Sequence, residues 1–311
     1  MERTDMMKPI RLQSVNIKTP WAGDYLSNLR KLETGVGIVR EVCAYKKSEN
    51  SILNSEYEGM NLRDLISLHQ KELMGDDTSD QMIRAAYIDA KEDLSIQVHP
   101  NQEYAEKVEN DFGKSESWYV LQCDEDTSVI AGCNTDDQEL LRHAAINGNI
   151  EKYLTRINVK PGDFIYIPAG IIHACGKGTL VMEIGSFGGV TYRMYDYGRG
   201  RELHLDKGFQ VLDTSLSANK KEFPLKARNK NGIRTGVESK EFKVDVIDTI
   251  GIQRIFKENK YHIVTCVLND CDIIIDKEKY CLHYTETLLI PASVKEYEIR
   301  GDCRILCSYR P

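Results

Sequence analysis

Two short motifs, QVHP at positions 97–100 and GDFIYIPAGIIH at positions 162–173, most strongly constrain what this chain can fold into. In an extended strand, side chains two residues apart project from the same face, so Gln97 and His99 can enter one site. His173, at the end of the second motif, would then come from an opposite strand. Together the motifs predict a divalent metal site between strands of one small β-barrel.

The second motif is shaped by its turn residues. Gly162 permits a turn into an apolar strand, and Pro168 and Gly170 shape the corner that follows, so that His173 is aimed inward. The motif resembles the second signature of the cupin superfamily, G(X)5PXG(X)2H, at every specified position. This resemblance implies a cupin-type jelly-roll β-barrel.

Composition limits the classes of partner. The chain has 311 residues, 41% of them hydrophobic, which is enough for one large or two ordinary domains. A net charge of -7 speaks against general binding to nucleic acid or anionic membranes, so an anionic substrate needs a local group of cations. No apolar run follows Met1, and no stretch reaches the roughly 20 apolar residues of a membrane span. Nine irregularly spaced cysteines favour reduced thiols, so we expect a cytoplasmic protein.

Apolar periodicity predicts a mainly β protein with a few inserted helices. Helices are expected at 61–74, 102–112 and 137–147, the last capped by Thr135 or Asp136. Strands are expected at 94–98, 117–122, 127–131, 164–168, 180–184 and 191–195.

A break in composition predicts two domains. The basic stretch 223–236 lacks periodicity and is interpreted as a linker, after which alternating strands return from 242 to 310. We therefore expect a metal-binding domain at 1–225 and a smaller β-domain at 237–311.

The second domain is interpreted as a degenerate, metal-free repeat of the first. The stretch 284–296 keeps a strand and Pro291, but it has Ser293 in place of the glycine and Glu296 in place of the histidine. The metal is therefore expected only in the first barrel.

A carboxylate completes the predicted metal site. Glu116 begins an apolar strand seventeen residues after His99 and is the best candidate. Two neutral imidazoles, the Gln97 amide and one carboxylate around a divalent ion leave the site at about +1, so the metal stays an effective Lewis acid. Zinc, iron, manganese and cobalt all accept such ligands. Cys175 can face the site, but a packed core thiol is the favoured interpretation.

Four motifs carry a family resemblance over nearly the whole chain: QVHP, GKSESWY at 113–119, IPAGIIHA at 167–174 and TYRMYDY at 191–197. They resemble the short bacterial class I mannose-6-phosphate isomerases. The resemblance implies one zinc ion per chain, bound by Gln97, His99, Glu116 and His173, and a catalytic Arg193. It also implies a phosphorylated hexose as substrate, with mannose 6-phosphate and fructose 6-phosphate interconverted through a cis-enediol.

The proton-transfer group is left open among Glu183, a water on the metal and His99. Glu183 lies on the strand that follows His173, and an ion pair with an arginine is its alternative role. Lys114, two residues before Glu116, matches a family lysine near the substrate. Arg193 can serve both the phosphate and the enediolate.

Other cations and imidazoles are given structural or solvated roles. Arg199 and Arg201, flanked by glycines, are interpreted as solvated loop residues. The histidines outside the two motifs are interpreted as structural: His69, His143, His204, His262 and His283.

The chain departs from the family pattern at several positions. Ala86 stands where relatives have a lysine, and Arg84, on the same strand face, is expected to bind the substrate instead. Gly189 stands where an acidic residue is common, and Cys43 replaces a usual tryptophan. These departures keep open a divergent metal-binding cupin that acts on or senses a different phosphorylated sugar. A cupin iron oxygenase is a third, less favoured alternative, and the sequence does not indicate an oligomeric state.

Overall fold

The computed structural model describes residues 6–46, 48–77 and 81–311. It is mainly β, as predicted, and the described strands are β1 (Val15–Lys18), β2 (Val36–Val42), β3 (Arg84–Ala90), β4 (Ile96–Val98), β5 (Glu116–Cys123), β6 (Ser128–Cys133), β7 (Leu154–Asn158), β8 (Asp163–Ile167), β9 (His173–Ala174), β10 (Thr179–Gly185), β11 (Tyr192–Tyr195), β12 (Asn219–Glu222), β13 (Gly232–Glu238), β14 (Lys243–Phe256), β15 (His262–Leu268), β16 (Cys271–Ile275), β17 (Glu278–Leu282), β18 (Thr287–Ile290) and β19 (Glu296–Tyr309).

The helices are short. The α-helices in the described residues are α1 (Tyr25–Arg30), α2 (Leu62–Leu68), α3 (Gln70–Met74), α4 (Gln102–Tyr104), α5 (Gln138–Ile146) and α6 (Leu205–Val211). Single turns of other types occur at Ala105–Glu109 (π) and at Ile150–Tyr153 and Leu225–Ala227 (3-10). Among the described helices, the longest has nine residues, and none is long and apolar enough to cross a lipid bilayer.

Each predicted helix is present in altered form. The helix predicted at 61–74 is broken at His69 into α2 and α3, because the backbone there leaves helical geometry. The helix predicted at 102–112 is α4 followed by the π-helical turn. The cap of α5 is Asp137, whose carboxylate accepts a hydrogen bond from the amide of Leu140 at 2.9 Å, so the predicted cap is wrong by one residue.

The chain divides into two compact units, of which one consists of residues 16–39 and 86–222. A seven-stranded sheet, in the order β1-β2-β3-β10-β5-β8-β12, and a five-stranded sheet, β11-β4-β9-β6-β7, supply its strands. The six strands predicted from the sequence in this region are all present, with ends shifted by one or two residues.

The core of this unit lies between its two sheets. Trp118, Val120 and Ile165 of the seven-stranded sheet form one buried cluster with Val129 and Ala131 of the five-stranded sheet. Alternate residues of β5 thus point inward, as the strand period of two requires. A second cluster covers the outer face of the five-stranded sheet with the apolar faces of α5 and α6. This two-sheet arrangement is the expected cupin-type barrel with inserted helices.

The other compact unit contains residues 40–85 and 223–311 with the described residues of 1–15. Its sheet has the order β13-β14-β19-β15-β18, with β16 and β17 attached to β19. The strands predicted between 242 and 310 are present. At the position that matches His173, Glu296 is exposed at the start of β19. It stays a prediction that the chain has separate domains at 1–225 and 237–311.

The interpretation of 223–236 as a linker is wrong. Residues Gly232–Glu238 form β13, which pairs with β14. Arg228 is buried, with its Nε 2.8 Å from Asp248, and Asp248 also receives two hydrogen bonds from the fully buried Arg304 at 2.7 and 2.9 Å. Two of the basic residues that suggested a linker, Arg228 and Arg234, are thus partners of a buried carboxylate, which holds this segment on the sheet.

His262 predicts how the stability of this unit depends on pH. Burial, with repulsion from Lys257, lowers the pKa of His262 from 6.5 to about 3. Below pH 6.5 the imidazole of His262 therefore becomes protonated in the unfolded chain but stays neutral in the folded chain. This difference alone should lower the free energy of unfolding by roughly 2 kcal/mol between pH 7 and pH 5.

Urea unfolding at the two pH values measures this effect. The variant His262→Gln should show a shallower loss of stability on acidification than the wild type, and His143→Gln, at an exposed position of α5, should keep the wild-type slope. Equal slopes in the wild type and His262→Gln would contradict the assignment.

Candidate active site

Three strands of the 16–39 and 86–222 unit bring the predicted ligands together. Gln97 in β4 lies opposite His173 in β9 and, on its other side, opposite Arg193 in β11. Glu116 is the first residue of β5, next to the end of β10. His99 directly follows β4, and its carbonyl accepts a hydrogen bond from the Gly170 amide at 2.9 Å, which ties the two motifs to each other.

The side chains of His99, Glu116 and His173 converge on one buried point. Their ligand atoms all lie within 4.8 Å of one another. Nε2 of His99 and Nε2 of His173 each lie 3.3 Å from a different oxygen of Glu116. Nε2 of Gln97 lies 3.4 Å from Nε2 of His173, so the fourth predicted ligand borders the same point.

The hydrogen bonds of both imidazoles fix the tautomer that a metal requires. Nδ1 of His99 donates to the carbonyl of Val190 at 2.8 Å, and Nδ1 of His173 donates to the carbonyl of Ile171 at 2.9 Å. A carbonyl can only accept, so the proton sits on Nδ1 and each Nε2 presents a lone pair to the centre. Nε2 of His99 and both oxygens of Glu116 are buried without a well-formed hydrogen bond among the described residues. These features fit a divalent metal ion.

The electrostatics favour the same protonation states. Burial, with the nearby positive charge of Lys114, lowers the pKa of His99 to about 4, and burial also lowers the pKa of His173. For Glu116, burial alone would raise the pKa, but the positive charge of Lys114, with the electrostatic influence of the adjacent imidazoles, outweighs burial and holds the pKa well below its usual range. Two neutral imidazoles and an ionised carboxylate are the forms that bind metals.

Lys114 connects this centre to Glu183. Its nearly buried ammonium forms an ion pair with Glu116 and lies 3.2 Å from Oε1 of Glu183. Its amide donates to the carbonyl of Pro100 at 3.1 Å, so the backbone at Lys114 is held by the first motif. Lys114 and Glu183, both predicted from the sequence, therefore lie beside the predicted metal ligands. The ion pair with an arginine, predicted as the alternative role of Glu183, is replaced by an ion pair with a lysine.

The segment 185–190, which departs from the family pattern, supports the site through its backbone. The Ser186 amide donates to the Ser115 carbonyl at 2.9 Å, and the Ser186 hydroxyl accepts from the Ser115 amide at 3.0 Å. A Cβ atom on Gly188 would lie 2.1 Å from the carbonyl oxygen of Gly113, so no other residue fits there without a backbone shift. No motif of the sequence predicts this close approach.

Arg193 is held by the loop that leads into α6. Its NH1 donates to the carbonyl of Glu202 at 2.8 Å, and its amide donates to Nδ1 of His204 at 3.1 Å. The Nε of Arg193 is buried without a hydrogen-bond partner in the described part of the chain. Burial, together with repulsion from Arg201, lowers the pKa of its guanidinium. His204, interpreted from sequence as structural, is thus in direct contact with a predicted catalytic residue.

Other predicted residues have different surroundings. The guanidinium of Arg84 lies over the ring of Tyr45, 5.7 Å from its centroid, in the compact unit that contains 40–85. Cys175 belongs to the apolar core, in agreement with the favoured interpretation, and burial raises the pKa of its thiol.

The interpretation of Arg199 and Arg201 as solvated is wrong. Nε of Arg201 lies 2.8 Å from Asp196, a buried carboxylate, and Arg199 donates to the carbonyl of Asp93 at 2.6 Å. Both side chains are partly buried because the turn between them folds back on Asp196.

Comparison with known proteins points to one family. Residues 41–133 match the sequence profile of the phosphomannose isomerase type I catalytic domain. The mannose-6-phosphate isomerase of Streptococcus mutans is 32% identical over 320 aligned positions, covering 98% of this chain and 99% of the relative. The mannose-6-phosphate isomerase of Bacillus subtilis is 30% identical and covers 86% of this chain and 87% of the relative.

A solved structure agrees over the same length. The crystal structure of mannose 6-phosphate isomerase from Bacillus subtilis superposes with a TM-score of 0.89 at 28% identity, covering 97% of this chain and 99% of the other. With the near full-length relatives, this places the chain, an isomerase, in the family of bacterial class I mannose-6-phosphate isomerases.

Proposed function

We propose that this chain interconverts mannose 6-phosphate and fructose 6-phosphate with the help of one zinc ion per chain. The observation that carries the proposal is the buried group of His99, Glu116 and His173, with Lys114 and Glu183 directly beside it. Membership of the family supplies the substrate, a phosphorylated hexose. A cytoplasmic location belongs to the same proposal, since the nine cysteines are all free, as is usual in a reducing compartment.

The metal would be held by Nε2 of both histidines, the Glu116 carboxylate and the Gln97 amide. The amide group of Gln97 presents nitrogen to His173 at 3.4 Å, and an amide rotation would present its oxygen, which is the atom that binds metals. When bound, a divalent ion supplies a Lewis acid that stabilises negative charge developing on the sugar oxygens.

Glu183 is the proposed proton carrier. Conversion of an aldose to a ketose moves one proton from C2 to C1 of the open-chain sugar, so a single carboxylate can accept it and return it. Unlike Glu116, Glu183 keeps about 15% of its side-chain surface exposed. Its Oε1 lies 3.2 Å from Nζ of Lys114, which orients the carboxylate. His99 is a poorer candidate, because its Nδ1 proton is committed to Val190 and its Nε2 faces Glu116.

Arg193 and Lys114 are proposed to handle negative charge. The Arg193 residue lies opposite Gln97 in the sheet, and its Nε is buried and free to donate to an enediolate or phosphate oxygen. Lys114 lies between two carboxylates, so it orients Glu183 and neutralises Glu116 as well as contacting the sugar. Binding of the phosphate by Arg84 stays a prediction from the sequence.

Removal of the metal should abolish the reaction reversibly. We expect chelator-treated protein to lose formation of fructose 6-phosphate from mannose 6-phosphate, and zinc to restore it, because the Lewis acid is missing. His173→Ala should also lose bound zinc, measured by elemental analysis, whereas the exposed His143→Ala should retain it. Turnover unchanged after complete metal removal would refute the zinc dependence, and a zinc-loaded wild type without turnover would favour a different phosphorylated sugar.

Replacement of Glu183 should separate proton transfer from metal binding. Glu183→Gln keeps the size of the side chain but cannot accept the C2 proton, so kcat should fall on the order of 10²- to 10⁴-fold while zinc content stays unchanged. Exchange of solvent deuterium into the sugar should fall in parallel. The control Glu125→Gln, at an exposed turn, should have the wild-type kcat. Wild-type exchange in Glu183→Gln would exclude Glu183 as the proton carrier.

The role of Arg84 can be tested by measuring how its replacement changes KM for the phosphorylated sugar. If Arg84 takes the place of the family lysine, Arg84→Gln should raise KM for mannose 6-phosphate by roughly tenfold or more, because a charged hydrogen bond to the phosphate is lost. The kcat value should change little. Unchanged KM in Arg84→Gln would show that the missing lysine at Ala86 is not compensated from Arg84.

A further inference from the structure

The loop between β11 and α6 folds back onto Arg193 in β11. After β11 the backbone turns through left-handed conformations at Tyr197, Gly198 and Gly200. The ion pair between Arg201 and Asp196 closes this turn, and Arg199 fixes it to the carbonyl of Asp93. The chain then arrives at His204, directly before α6.

His204 binds the main chain of Arg193 on both sides. Its amide donates to the Arg193 carbonyl at 2.7 Å, and its Nδ1 accepts from the Arg193 amide at 3.1 Å. The first bond is available to any residue except proline, but the second requires an acceptor in the side chain. His204 provides no cap for α6 with this side chain, so the acceptor serves Arg193 and not the helix.

The same loop also orients the guanidinium of Arg193. The carbonyl of Glu202 accepts from its NH1 at 2.8 Å, which leaves the buried Nε without a partner in the described residues. The guanidinium is thus fixed at NH1, while its Nε keeps an unused hydrogen-bond donor. A shift of the Arg193 backbone would move this donor away from the proposed positions of the reacting oxygens.

We propose that His204 is a positioning residue for Arg193, and that its Nδ1 holds the Arg193 backbone in the register that aims the guanidinium at the substrate. This inference rests on the proposed role of Arg193 in the isomerase reaction. Within the described part of the chain, no hydrogen bond or ion pair joins the His204 side chain to a predicted metal ligand. Its imidazole must carry its proton on Nε2 in the working state, since Nδ1 is an acceptor.

Two replacements separate the acceptor from the rest of the side chain. In His204→Asn the amide oxygen takes up a position near that of Nδ1 and preserves the bond, whereas His204→Leu keeps the bulk but removes the acceptor. We expect His204→Leu to lower kcat about tenfold with KM and zinc content close to wild type. His204→Asn should be near wild type in all three, and the exposed His143→Leu serves as the control.

A double-mutant cycle tests whether His204 acts through Arg193. Arg193→Lys should itself be slower than wild type, and adding His204→Leu to it should cause little further loss, because the positioned guanidinium is already absent. Independent, multiplying losses would overturn the proposal. A general folding defect would instead appear as equal losses in His204→Leu and His204→Asn, which would also overturn it.

Hydrogen exchange of the Arg193 amide tests the bond without any turnover. We expect this amide to exchange at least tenfold faster in His204→Leu than in the wild type or His204→Asn. Equal exchange rates in all three proteins would overturn the proposal even if the variants differ in activity. Failure of the wild type to convert mannose 6-phosphate would refute the proposed function alone, and the exchange rates would still decide whether His204 holds Arg193.

Discussion

The burial of the Glu116 carboxylate is the constraint on which the rest of the site depends. An ionised carboxylate in the interior is stable only with compensating partners, and here the Lys114 ammonium is one of them. The two imidazole Nε2 atoms at 3.3 Å carry lone pairs, so the remaining compensation falls to a cation such as the proposed metal ion. Each imidazole is held by a backbone carbonyl, so the positions of Val190 and Ile171 set the direction of both Nε2 atoms. The ligand geometry is therefore fixed by main-chain atoms of the barrel.

Strand pairing explains how so few elements supply this geometry. β4 lies between β9 and β11, which places Gln97 beside both His173 and Arg193. β5 lies between β10 and β8, which places Glu116 near the end of β10, where Glu183 is two residues from Gly185. The proposed ligands, proton carrier and oxyanion partner thus come from neighbouring strands of the two sheets, or directly follow one of them, where side-chain positions are more precise than on long loops.

The sequence predicted the parts of this arrangement that strand periodicity and local motifs determine. The alternation in QVHP and the turn residues of 162–173 were sufficient to place Gln97, His99 and His173, and the strand at 117–122 was sufficient to place Glu116. Contacts that join distant segments through backbone atoms were not predictable, because carbonyl acceptors such as those of Val190 and Glu202 have no residue signature. For the same reason the sequence predicts only a structural role for His204, and it predicts a linker around Arg228, whose partner Asp248 lies 20 residues further along the chain.

The departures of segment 185–190 from the family pattern are compatible with an intact metal centre. The support that this segment gives to His99 and Lys114 runs through the Val190 carbonyl and the backbone at Ser186, which many sequences can provide. Gly188 is constrained by its approach to the Gly113 carbonyl, and Gly185 less severely by its approach to the Ser115 carbonyl. The presence of Gly189 in place of the usual acid therefore removes a side chain but none of these backbone hydrogen bonds. Any consequence should concern sugar binding or proton transfer, and the predicted metal ligands should be unaffected. The proposed proton carrier, Glu183, is positioned by β10 and by the Lys114 ammonium, and neither contact requires an acidic side chain at Gly189.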